Sequence, residues 1–266
     1  MPRYAPLVVL LLNMAVPVHG QFCETVTDSA WMARYDKLFS EGARATVWRA
    51  DSSIIDVPVM FHVQTQGGNP VIGVNRINQA LAATNAWFAA AGVRFVRCGD
   101  VRYYPDSTAP ATNSRAVNVA MFRSSTGCGW EMEGNVSINV SCNRTLENIL
   151  SHELGHVLGL PHTHGYTNTG TTDELADGSN CATHGDRFCD TPADPNLLGV
   201  VNGACQYVGT RLDANNMPYT PNPRNIMSYT NSSCADELSS MQLAYARAVA
   251  IALRPECCEL PAPRVR

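Results

Sequence analysis

Between positions 54 and 140 the apolar residues switch repeatedly between two spacings. Ile54-Ile55-Asp56-Val57-Pro58-Val59-Met60-Phe61-His62-Val63 is β-branched, aromatic and mostly apolar, the mark of a buried strand. Gln66-Gly67-Gly68-Asn69-Pro70 breaks it with a turn. From Val74 to Ala91 the residues Ile77, Leu81, Ala82, Trp87 and Phe88 recur at helical intervals, and Gly92 closes that helix. Val93 to Cys98 reads as a strand and leads into a loop rich in Pro, Ser and Thr. Ala116 to Phe122 alternates as a strand, Gly127-Cys128-Gly129 turns the chain, and Asn135 to Val140 is another strand. A helix is expected from Leu146 to Leu158, stopped by Gly159 and Pro161. A short helix is expected upstream, around Trp31–Phe39.

Beyond position 162 the periodicity disappears. Gly, Asn, Asp, Thr, Pro and Cys dominate up to 235, which predicts a loop-rich lobe held by bridges. A final helix, about Ser239 to Leu253, places Met241, Leu243, Ala244, Ala248, Ile251 and Ala252 at helical spacing. This order of elements predicts the α+β class.

Composition narrows the picture. The 266 residues are 45% hydrophobic and 16% charged, enough for one sizeable domain or two small lobes sharing a cleft. A net charge of -4 with no basic run excludes a nucleic-acid partner. Residues 1–20 read as a cleaved secretory signal: Arg3, the apolar run Leu7 to Leu12, then Val18-His19-Gly20 before a mature start at Gln21. That run is shorter than the ~20 residues that span a bilayer, so no membrane association is expected after its removal. The ten cysteines, an even count in an exported chain, read as disulfides. Spacing suggests that Cys128–Cys142 staples a hairpin. Sequons at Asn135, Asn139, Asn143 and Asn231 fit export through a glycosylating pathway, with occupancy unfavourable for Asn135 and Asn139 in their strand.

The chemistry concentrates in His152-Glu153-Leu154-Gly155-His156-Val157-Leu158-Gly159-Leu160-Pro161-His162. Positions four apart lie on one side of a helix, so His152 and His156 can point ring nitrogens at one ion. Gly159 lets the chain leave the helix sharply and return His162 as a third ligand. Catalytic zinc uses three protein ligands and keeps a fourth position for water, whose pKa it lowers towards ~7. Glu153 is placed to take that water's proton and pass it to a leaving amine. His62 reads as a core strand residue. His164 and His184 fall outside the pattern.

The string HExxHxxGxxH resembles the signature of metzincin metallopeptidases, which continues downstream in a methionine turn; Asn225-Ile226-Met227-Ser228-Tyr229 is the candidate here. The resemblance implies that Met227 lies beneath the metal as an apolar floor and that Tyr229 supports the oxyanion. Within metzincins the chain resembles the pappalysin family. The carriers are Val157 to His164, the stretch Gly185-Asp186-Arg187-Phe188-Cys189-Asp190-Thr191-Pro192-Ala193-Asp194, and Cys234 after the methionine turn. The matching region covers roughly 54–253. Pro161 departs from the aromatic residue the family more often has. Asn231-Ser232-Ser233-Cys234, with Asp236 beyond, lacks the nearby acid of relatives that prefer a basic residue after the cut.

The resemblance implies a metzincin-type fold. A twisted, mostly parallel N-terminal sheet would carry a backing helix and an active-site helix. The C-terminal lobe would be irregular, disulfide-tied and provided with one long helix. It further implies bridges Cys181–Cys189 and Cys205–Cys234, and calcium held by Asp186, Asp190, Thr191 and Asp194. The residues by themselves fit equally an ion-free turn stiffened by Pro192. Zymogens of related enzymes use an N-terminal cysteine as a fourth zinc ligand. Residues 21–53 would then include a pro-segment with Cys23 as its switch, freed by a cut near Arg49. The other reading bonds Cys23 to Cys257 or Cys258. Cys98 is left without an assigned partner. The expected activity is that of a secreted zinc endopeptidase acting on proteins or peptides. The alternative is a catalytically silent zinc-binding or adhesion protein on the same scaffold, and residues 254–266 form a tail.

Overall fold

The structure is a computed structural model, described here for residues 23–47, 53–105, 110, 112–113, 115–165 and 171–253. The signal region, Arg49, Cys257 and Cys258 lie outside the described residues.

The sheet is built on β1 (Ile55–Gln66), whose positions 57–64 are all buried. β3 (Val93–Arg97) and β4 (Arg102–Pro105) pair with it in parallel, at Ile55–Val59 and His62–Thr65 respectively. The two-residue β2 (Asn69–Pro70) returns on it antiparallel. β5 (Val117–Phe122) pairs with β1 in parallel and β7 (Asn135–Asn139) with β5 in parallel. β6 (Gly129–Met132) closes the path, antiparallel to β7. The result is a mixed α+β fold on a mostly parallel seven-stranded sheet, as expected.

Helix α2 (Val74–Phe88) ends in a 3-10 turn at Ala89–Ala91, and Gly92 adopts φ 64° at its C-cap. Helix α3 (Leu146–Val157) packs on α2, with Thr84 Oγ1 2.9 Å from Ser151 Oγ. Arg76 and Glu147 pair across the same interface, Nη2 to Oε2 at 2.6 Å. Between α2 and β3, Asn85 holds both backbone groups of Phe95, at 2.7 and 2.9 Å. Phe88 meets Phe95 edge-on at 5.4 Å inside a core that includes Phe61, Ile77, Leu150 and Leu154. Full burial of each such side chain contributes about 1.5–3 kcal/mol.

The C-terminal half carries α4 (Ser240–Leu253). Its Arg247 donates to the carbonyls of Ala91, Gly92 and Ser53, tying the last helix to the end of α2 and the approach to β1. All three bridges named from the sequence form: Cys128–Cys142, Cys181–Cys189 and Cys205–Cys234. Cys98 is also disulfide-bonded. Cys23 is free, which removes the reading that bonded it to the C-terminal cysteines.

Four elements differ from expectation, the two-residue β2 standing inside the turn read at 66–70. The upstream helix is longer: α1 runs Ser29–Val47 and packs on α4, where Phe39 stacks on Tyr245 at 4.6 Å. β4 and β6 stand where a loop and a turn were read. Each has four residues, one ending in proline and the other starting with glycine, too few to show alternation.

Candidate active site

Helix α3 is buried along almost its whole length, because it passes between the sheet and the methionine turn. Gly155 makes that passage close: a Cβ there would lie 2.5 Å from Met227 Sδ. Met227 is fully buried, and its amide donates to Asn225 Oδ1 at 2.8 Å. Gly159 ends the helix with φ 78°, and a Cβ on it would meet Tyr35 at 2.7 Å and Tyr245 at 2.8 Å. The left-handed turn that follows brings His162 back to the helix, as the spacing required.

The three imidazoles converge. His156 Nε2 lies 3.2 Å from His152 Nε2 and 3.2 Å from His162 Nε2. His152 Nδ1 donates to the carbonyl of Ile226 at 2.8 Å, and His156 Nδ1 to that of Leu160 at 2.7 Å. These bonds fix the tautomers, so the Nε2 atoms carry lone pairs towards a common point. Burial drives all three rings towards the neutral form, His156 down to about 3. Three lone pairs facing one another at this distance repel unless a cation lies between them. Tetrahedral zinc with ~2.0–2.1 Å bonds sets its ligand nitrogens roughly 3.3–3.4 Å apart, so the donor set fits such an ion.

Cys23 Sγ is the fourth donor, 3.5 Å from His156 Nε2, and all four candidate ligand atoms lie within 4.8 Å of one another. The thiol also approaches Glu153 Oε2 at 3.6 Å. Burial first, then the Glu153 charge, pushes this thiol well up; a divalent cation would reverse that. Glu153 is buried, and burial raises its carboxyl to about 8. Its Oε2 accepts from Thr25 Oγ1 at 3.1 Å. Its Oε1 is buried without a hydrogen-bond partner among the described residues.

Tyr229 sits beside the cluster, its ring edge-on to His162 at 4.8 Å. Its hydroxyl donates to the backbone carbonyl of Cys23 at 2.8 Å, so it already holds a peptide carbonyl next to the three rings. His164 is buried and stacks on His162 at 5.0 Å, a place the sequence pattern did not assign.

The N-terminal segment fills the cleft in front of these residues. Cys23 forms a parallel bridge with Gly129 on the free edge of β6, and the Glu24 amide donates to the Gly129 carbonyl at 2.9 Å. Glu131 donates its amide to Thr25 Oγ1 at 2.7 Å and accepts from Trp31 Nε1 at 3.1 Å. Trp31 lies edge-on to His156 at 6.1 Å. Asp36 receives two hydrogen bonds from Arg187, at 2.9 and 3.2 Å.

The acids of the C-terminal lobe divide. Asp186 is buried and accepts from Thr191 Oγ1 at 2.8 and 2.9 Å. Asp194 is buried and accepts from Thr163 Oγ1. Asp190 is exposed and turned away: it accepts from Ser239 Oγ at 2.7 Å and from the Met241 amide at 2.8 Å, capping α4. Glu174, which the sequence reading passed over, is buried with neither carboxylate oxygen partnered among the described residues. Burial, then the charges of Asp194 and Asp173, raises it to about 7, and burial raises Asp194 to about 6. Asp236 is committed to Arg224.

No protein-family model matches the chain, and no curated protein matches it. Solved structures do. A mutant of promirolysin from Tannerella forsythia matches with a TM-score of 0.61 at 15% identity, over 87% of this chain and 96% of that one. Mature mirolysin from Tannerella forsythia, in complex with a cleaved peptide, matches with a TM-score of 0.57 at 17% identity, over 76% of this chain and 96% of that one. The two TM-scores establish a shared fold.

Proposed function

We propose that the chain is a secreted zinc endopeptidase of the pappalysin-like metzincin type, held latent by its own residues 23–47. The observation that carries this reading is the convergence of three neutral Nε2 atoms at 3.2 Å beside the buried carboxylate of Glu153. A neighbour in fold holds a cleaved peptide, in keeping with a protein or peptide substrate. The disulfides suit an extracellular protein, and no described helix is long and apolar enough to cross a membrane.

His152, His156 and His162 would hold the zinc, which when bound polarises the scissile carbonyl and acidifies water. Glu153 acts as the base: it takes a proton at Oε1, the oxygen free of partners, and returns it to the leaving nitrogen. Tyr229 donates its hydroxyl to the substrate carbonyl, as it now does to the carbonyl of Cys23. Met227 supports the three rings from below, and Gly159 sets the turn that brings in the third.

Latency follows from the same contacts. Cys23 would supply the fourth ligand, Thr25 occupies Glu153, and β6 is already paired. The pro form of mirolysin matches over 87% of this chain and the mature form over 76%. Calcium is the second ion proposed, at Asp186, Thr191 and Asp194 with Glu174 in place of Asp190, supported by the charge that Glu174 and Asp194 place beside Asp186 and by the two Glu174 oxygens, which have no hydrogen-bond partner among the described residues.

The test uses the full chain and a chain cut at positions 48–52, each with Glu153→Ala beside the wild type. Zinc near one equivalent is expected, with digestion of a broad peptide library only by the cut wild type once dilution or high salt has freed the severed segment. Zinc retention with no cleavage by any form would favour the silent binding protein.

A further inference from the structure

The contacts that hold residues 23–47 in place have an unexpected distribution. The described side-chain contacts of this segment with the rest of the chain begin at Cys23 and end at Phe39. Two anchors lie far from the metal-ligand cluster in sequence and in kind. Asp36 takes both amino groups of Arg187 and the Tyr245 hydroxyl at 3.5 Å. Phe39 lies flat on the Tyr245 ring, 4.6 Å between centroids and 5° between planes. Tyr35, 1% exposed, closes over Gly159. A cut at positions 48–52 severs the link between α1 and β1 and touches none of these contacts.

We infer that the surface formed by Arg187, Phe188 and Tyr245 is a docking site for this chain's own residues 23–47 in trans, so that the severed segment stays bound and continues to inhibit. The inference rests on the latency reading above. Charge and shape both specify the occupant: a cationic guanidinium and an aromatic face are matched by an acid and an aromatic one helical turn apart, Asp36 and Phe39. Before the cut, the tether keeps the segment at a high effective concentration; after it, retention depends on these contacts alone. The fit is incomplete. A cavity of about 370 Å³ remains between α1 and the body, bordered by Met32, Pro161 and Met241 among others, which leaves release attainable by dilution. The Asp36–Arg187 pair is partly exposed, so salt promotes release. Activation is therefore two events, scission and departure, with the second reversible.

The experiment places a specific protease recognition sequence at positions 48–52 of the full chain, folds it and cuts it to completion. Gel filtration then reports whether the fragment travels with the body, and a quenched peptide reports turnover. The fragment is expected to co-elute at micromolar concentration, with turnover at least tenfold below that reached after dilution or in high salt. Cys23→Ala should still co-elute. Synthetic peptide 23–47 added back to the dissociated body should suppress turnover, and the same peptide with Asp36→Ala should need at least tenfold more. The peptide arm leaves the body unaltered, so it does not depend on any variant folding. Immediate separation of the wild-type fragment on cutting, or equal potency of the two peptides, overturns the docking site while leaving latency intact. An uncut chain as active as the dissociated body overturns latency itself, whatever the column shows.

Discussion

Gly129→Ala separates the placement of Glu153 from the assembly of the metal ligands. Gly129 opens β6 directly over Glu153: a Cβ there would lie 2.7 Å from Oε1, 3.0 Å from Cγ and 3.1 Å from Cδ. Ordinary contact begins at 3.4 Å, so the carboxylate end must retreat by about 0.7 Å. Moving the end of a side chain costs the fold little. Chemistry is less forgiving, since a misplacement of about 1 Å can cost ~10²-fold. The expected result is a fall in kcat of roughly 10- to 100-fold, about 1.4–2.7 kcal/mol of barrier, with the melting midpoint nearly unchanged. Zinc should stay near one equivalent, because the added methyl group approaches Glu153 and not the three rings. The assay is steady-state hydrolysis of a quenched peptide by the cut and dissociated chain, with metal content measured on the same sample. An unchanged kcat would refute the role given to Glu153. Loss of zinc would show that the glycine serves the ligand geometry instead.

Gly155→Ala forces a methyl group against Met227 in a closed interior, and should cost about 1–3 kcal/mol in urea unfolding together with weaker zinc retention. In the uncut chain Cys23→Ala should release only part of the activity, because Thr25 still holds Glu153; adding Thr25→Val should raise peptide turnover at least fivefold further. The rise in melting midpoint caused by calcium should be small at pH 5 and large at pH 8, at saturating zinc. Asp194 and Glu174, raised to about 6 and about 7, are protonated at the lower pH and available as ligands at the higher. Glu174→Gln should remove most of that pH-dependent rise in a thermal melt.

What could be read from the sequence was what one local period fixes. The helical repeat places His152 and His156, a single glycine returns His162, and the structure assembles all three where spacing put them. Spacing alone made the hairpin bridge Cys128–Cys142 legible, while Cys181–Cys189 and Cys205–Cys234 came only through the family resemblance. The rest depends on contacts between distant positions. Thr25 reaches Glu153 across 128 positions and Trp31 reaches Glu131 across 100, through an edge strand too short to carry a pattern. Asp190 was grouped with Asp186 by the family resemblance. The backbone between them takes φ 65° at Arg187, and Asp190 ends at the start of α4 instead. Glu174 stands in an aperiodic stretch, and only its burial without partners singles it out.

Cys23, His152, His156 and His162 each have no solvent exposure. On the proposed latency, traffic of an ion into or out of that chamber would be gated by how often the segment before β1 lifts, whatever the strength of the bonds inside. A chelator would then strip the latent form at a rate that stops rising with chelator concentration, set by the opening of the chain. Loading belongs to the period before the segment closes, and a molecule that closes empty is trapped until it reopens.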